Sequence, residues 1–168
     1  MSIDNIKLTA FLIQQFYKNS LIEFDAKDQI EKSLPVSSFN ILGNNCRRVI
    51  IIVENDETLY LPDTQLNFLL GILLACKLTM KDVAIMNLKE NKTLTYKAME
   101  VELKAEKIIL FGVSPAQIEL PFDFPLYQIQ QYNKQTYITA AMLTDIQDNK
   151  AEKTKLWNCL KRIFLTSL

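Results

Sequence analysis

The residues best placed to do chemistry follow three short apolar runs, Val49 to Val53, Val83 to Leu88 and Ile108 to Val113. Each run has the length of one fully buried strand, and each is flanked by a stretch with helical spacing. That alternation predicts an α/β fold with a largely parallel sheet covered on both faces. Ligands of such sheets bind beyond the carboxyl ends of the strands. Those ends carry Glu54-Asn55-Asp56, Lys89-Glu90-Asn91 and Ser114-Pro115. Glu54, Asp56 and Glu57 are a carboxylate cluster that could act as a general base or hold a hard cation. A solvated loop has the same composition, and with no catalytic or phosphate-binding signature around the cluster, the loop is the favoured assignment.

What is missing narrows the chemistry further. The chain has no histidine, which excludes Ser–His–Asp and Cys–His nucleophile systems, histidine general bases and every His-ligated metal site. It has three glycines, Gly43, Gly71 and Gly112, too few and too scattered for a P-loop or a GxGxxG cradle. Cys46, Cys76 and Cys159 are odd in number and widely spaced, as expected of small apolar fillers in a reducing compartment. No catalytic residue, cofactor site or metal site is therefore expected, and an enzyme would have to work with carboxylates, lysines, tyrosines and hydroxyls alone.

The elements that must position these residues are legible from periodicity. Leu8, Phe11, Leu12 and Phe16 form the stripe of an amphipathic helix over about 5–19. Asp63 is the expected N-cap of a helix reaching about Lys77, and Thr93 or Thr95 starts another that carries Tyr96, Met99 and Leu103. Leu126 to Tyr132 and Gln135 to Ala140, joined by Asn133-Lys134, predict an antiparallel hairpin. The last helix, about 149–165, buries Leu156, Leu160, Ile163 and Phe164, with Trp157 beside them in the core. Its outer face carries Lys150, Lys153, Lys155, Lys161 and Arg162, which either touch phosphates or are simply wet.

The helix around Leu66 to Cys76 is apolar around most of its circumference, more than one sheet face can bury. Either a second layer such as the N-terminal helix covers it, or it offers a surface to a partner. The N-terminal segment, residues 1–20, raises the same choice between core and docking arm. A length of 168 residues suits a single domain over 1–168, and the hydrophobic content of 49% is that of a globular protein. Lysine plus arginine and aspartate plus glutamate both number 19, so strong sequence-independent nucleic-acid binding is not expected. The start of the chain lacks a secretion signal, and its longest apolar stretch is about half of what spans a bilayer, so a cytoplasmic protein with no membrane contact is expected.

Three stretches, in order and spacing, resemble the psi subunit of bacterial DNA polymerase III. They are Arg47-Arg48-Val49-Ile50-Ile51-Ile52-Val53 followed by Pro62 and a leucine-rich helix; Leu78-Thr79-Met80-Lys81-Asp82-Val83; and Leu143-Thr144-Asp145-Ile146 followed, after a polar gap, by Lys155-Leu156-Trp157-Asn158-Cys159-Leu160. Ile13-Gln14-Gln15 echoes the family's leading segment, and the resemblance covers about 45–165. It implies a three-layer α/β/α sandwich ending in a hairpin and a helix, related in shape to uracil-DNA glycosylases without their catalysis. It also implies a non-catalytic accessory subunit in DNA replication that ties a chi-like subunit to the clamp loader. Phe11, Phe16, Tyr17 and Leu21 are the residues expected to contact the partner. Family members carry a flexible leader with a tryptophan at that place, whereas this chain starts with a helix pattern and no tryptophan there. A glycosylase-like DNA-acting enzyme and a generic protein-interaction domain are the alternatives.

Overall fold

A computed structural model describes residues 38–166. Five strands, β1 (Val49–Val53), β2 (Val83–Asn87), β3 (Lys107–Phe111), β4 (Ile129–Tyr132) and β5 (Gln135–Ala140), form one sheet in the order β2-β1-β3-β5-β4. β1 pairs in parallel with β2 and β3, and β3 pairs in parallel with β5. Only β4, at the sheet's edge, runs antiparallel to its neighbour. The apolar runs have no polar alternation because both of their faces are buried. Val49, Ile51 and Val53 point to one core with Ile85, Ile109 and Ile138, while Ile50 and Ile52 point to the other with Met86, Ile108 and Leu110.

Helices contribute to both cores. Leu69 and Leu73 of α1 (Asp63–Ala75), Leu143 and Ile146 of α3 (Leu143–Asp148), and Leu156 and Leu160 of α4 (Lys150–Leu160) pack into the first. Met99 and Leu103 of α2 (Tyr96–Leu103) pack into the second, with Ile118 from a 3₁₀ turn over Pro115–Ile118.

Local chemistry sets the boundaries. Thr95 caps α2 by accepting a hydrogen bond from Ala98 N at 3.2 Å, and Asn149 caps α4 by accepting from Ala151 N at 2.9 Å. Asp63 differs from expectation. It is the first residue inside α1, with Pro62 at the cap position, and its carboxylate sits in the first turn where the helix dipole favours it. Asn133 and Lys134 both have positive φ, 50° and 64°, the backbone of a tight turn matched to strand twist. β4 begins at Ile129 and not at Leu126, because Tyr127 with φ 61° breaks the extended run before it. β3 stops at Phe111 because Gly112, with φ 66°, turns the chain past Met142. α3 has no counterpart among the expected elements, and the last helix ends in a π-type turn over Lys161–Leu165.

The cysteines give a direct check of this packing. Cys46 is exposed, whereas Cys76 and Cys159 are buried. Burial pushes the Cys76 thiol up to about 11 and raises that of Cys159, so neither supplies thiolate at neutral pH. A thiol titration of the native protein should therefore show one fast equivalent. The other two should react only after denaturant is added.

Candidate functional site

The chain leaves β1 in one direction to β2 and later returns on its other side as β3, so the topological switch point lies between β1 and β3. A ligand of an open α/β sheet would sit there, next to Glu54. Glu54 is already engaged. Its Oε1 is 2.9 Å from Lys89 Nζ, and the same ammonium is 3.4 Å from Asp56 Oδ1. Gln117 Nε2 donates to Glu54 Oε2 at 3.2 Å, while Gln117 Oε1 accepts from Ser114 N at 2.7 Å. These side chains bridge the ends of β1 and β3. The space beneath them, lined by Val53, Asn55, Phe111 and Met142, is about 40 Å³, on the scale of one or two water molecules.

The electrostatics follow the geometry. The Lys89 ammonium, and then the Gln117 amide, hold the Glu54 carboxyl below its ordinary value near 4.5. A carboxylate stabilised in this way is a weaker base than a free one. Its folded-state affinity for protons is lower than in the unfolded chain, so its stabilising contribution is present above about pH 4.5 and is lost as the pH falls through the lowered value. Glu54→Gln should accordingly flatten the acid side of the stability profile. Urea midpoints between about pH 3 and pH 6 would show this, and parallel curves for parent and variant would refute it.

Behind Glu54 lies an amide scaffold that sequence inspection does not single out. Asn87, fully buried at the end of β2, donates through Nδ2 to Asn55 O at 2.7 Å and Thr58 O at 2.9 Å. Its Oδ1 accepts from Asn55 N at 3.1 Å and Lys89 N at 3.2 Å. Asn91 joins in the same way, donating to Asn87 O at 2.8 Å and accepting from Asn40 N at 2.8 Å. Both donors and both lone pairs of Asn87 are used, so it holds loops together and has no group left over for a substrate. The available signal was an asparagine inside an otherwise apolar run.

An apolar departure from a closed surface lies on α1. Leu69 and Leu73 are buried, but Leu66, Phe68, Leu70 and Ile72 are only partly so, and Leu74 is 69% exposed. A groove of about 420 Å³ runs between α1 and α4, walled by Phe68, Gly71, Ile72, Leu156, Trp157 and Leu160. Trp157, expected in the core, is half-buried on the wall of this groove. The buried stripe of α4 and the turn after it is Leu156, Cys159, Leu160 and Ile163, and Trp157 sits one residue, about 100° of helix, away from Leu156. Trp157→Ala should cost roughly 1–2 kcal/mol, well short of the 3–5 kcal/mol of a fully buried aromatic. A melting curve displaced as far as that of a true core variant would return Trp157 to the interior.

The basic face of the last helix is partly organised by this wall. Lys153 Nζ stands 5.7 Å from the Phe68 ring centroid and Lys161 Nζ 5.8 Å from that of Trp157. Lys155 instead pairs with Glu152 at 2.8 Å. Phe11, Phe16, Tyr17 and Leu21, the expected partner contacts, lie outside the described residues, as does the N-terminal helix expected over about 5–19. Among the described residues no group of three or more cysteine, aspartate or glutamate side chains is arranged to hold a metal ion. No helix among them is long and apolar enough to cross a membrane. No protein-family model matches the chain, and comparison with curated proteins finds no match.

Proposed function

We propose that this chain is a non-catalytic accessory subunit of the DNA polymerase III holoenzyme, a cytoplasmic, psi-like bridge between the clamp loader and a chi-like second subunit. In this proposal the parallel sheet is the middle of a three-layer α/β/α sandwich that ends in a hairpin and a helix, and Phe11, Phe16, Tyr17 and Leu21 contact the clamp loader. One observation supports it above the others. The switch point between β1 and β3 is bridged by Glu54, Lys89 and Gln117, whereas an apolar groove stands open between α1 and α4. Apolar surface is more useful to a protein that binds proteins than to one that turns over a polar substrate.

Mixing the full chain with purified clamp-loader subunits tests the proposal. A complex that co-elutes on gel filtration is the expected result. Deleting residues 1–20 should abolish it while leaving a cooperative melting transition. Absence of a complex with the full chain would overturn the bridge. Release of uracil from DNA, lost in Asp56→Asn, would establish the glycosylase-like alternative in its place.

A further inference from the structure

We propose that the groove between α1 and α4 receives an amphipathic helix of a partner protein, one whose apolar ridge is flanked by aspartate and glutamate. The inference rests on the partner-binding function above but not on the identity of the partner. Along α1 the groove extends from Asn67 to Ala75, a rise of roughly 12 Å. Anchors at i, i+3 or i+4 and i+7 of a docked helix span roughly 10 Å, so two turns fit its length. The walls are aliphatic and aromatic, and nothing among the described residues fills the space between them.

Charge selects the kind of helix. Lys153 lines the groove and its ammonium reaches the Phe68 ring on α1, while Lys161, eight residues or roughly 12 Å of helical rise further on, stands at the Trp157 ring on α4. Neither forms an ion pair among the described residues, in contrast to Lys155. Each ammonium is held over a ring, with its remaining donors free for a carboxylate from outside. A helix with acidic flanks meets both cations. Single-stranded nucleic acid would stack its bases on ring faces, and one face of each ring here already carries a lysine.

Trp157 is the chain's single tryptophan, so its emission reports occupancy of the groove without a label. The probes are two model peptides of about four helical turns, each with a leucine ridge at helical spacing, one flanked by glutamates and its twin by lysines. The full chain titrated with the glutamate peptide should show a saturable blue shift, and the lysine twin should bind at least about tenfold more weakly. Lys153→Glu combined with Lys161→Glu should invert that order, while Lys155→Glu should preserve it. All three positions are on the surface, so the variants should melt within a few degrees of the parent. Equal binding of the two peptides, or no change in Trp157 with either, would overturn the proposal. So would an oligothymidylate that shifts Trp157 where the peptides do not, or a dimer that the double variant dissociates. Capture of the clamp loader alongside a silent groove would sink this inference and leave the bridge intact.

Discussion

Replacing Asn87 with alanine should lower the stability by about 3 kcal/mol or more, a loss seldom reached by a polar substitution. Asn87 is fully buried, and its side chain makes four hydrogen bonds that tie the loop after β1 to the loop after β2. Alanine leaves Asn55 N, Lys89 N, Asn55 O and Thr58 O without their partner. Water can reach part of the Asn55–Thr58 loop, which limits the loss at the rim but not at the buried end of β2. The melting temperature should fall by roughly 10 °C for a domain of this size. Asn87→Asp discriminates hydrogen bonding from volume. It keeps the shape and the two accepted bonds but sets a carboxylate oxygen against two carbonyls, so it should be no more stable than the alanine variant. If aspartate restores the parent's melting temperature, the amide donors contribute nothing. The same loss should loosen Glu54, which leaves β1 next to Asn55, and make its ion pair with Lys89 less persistent.

The elements that were legible in the sequence share one property: their pattern and their burial have the same cause. β1 coincides with its apolar run because each of its residues faces a core, and Asn133-Lys134 marks the tight turn between antiparallel β4 and β5, where asparagine favours the positive φ. The edges of β2 and β3 were less legible, since Leu88 and Val113 continue the apolar composition beyond the last paired residue. Trp157 shows the limit of composition more sharply. A large aromatic beside a buried stripe suggests core, yet one residue of helical rotation places it on a groove wall. The excess apolar surface of α1 was visible in its residues, but that it opens toward α4 depends on the crossing of two helices far apart in the chain. Glu54 was legible as a charged residue at a strand end. Its engagement by Lys89 and Gln117 was not, because both partners come from other βα connections. The same holds for Asn87, whose use depends on four backbone groups brought together by pairing of β1 with β2.

The two glycines Gly43 and Gly71 should respond to alanine with opposite signs. Gly43 has φ 109°, and a Cβ there would lie 2.3 Å from Val83 O and 2.7 Å from Met80 O, both backbone atoms that have no room to retreat. The segment around it closes the outer edge of β2. Leu42 and Ile85 exchange two backbone bonds at 2.9 and 2.8 Å, and Asn45 N donates to Val83 O at 3.0 Å. Alanine at Gly43 adds backbone strain of about 1–3 kcal/mol and strips some of these bonds, for a total loss of roughly 3–4 kcal/mol. Detachment of the segment would also leave β2 with an unpaired edge, so the variant should aggregate more readily on heating. Gly71 is different. It lies inside α1 with nothing within 4 Å of an added Cβ, so alanine removes only the conformational freedom of the unfolded chain. Gly71→Ala should gain about 0.5–1 kcal/mol. Urea midpoints of the two variants measured together decide the matter. Amide exchange at Ile85 should accelerate in Gly43→Ala alone, and an unchanged Ile85 would show that the segment is not what protects the β2 edge.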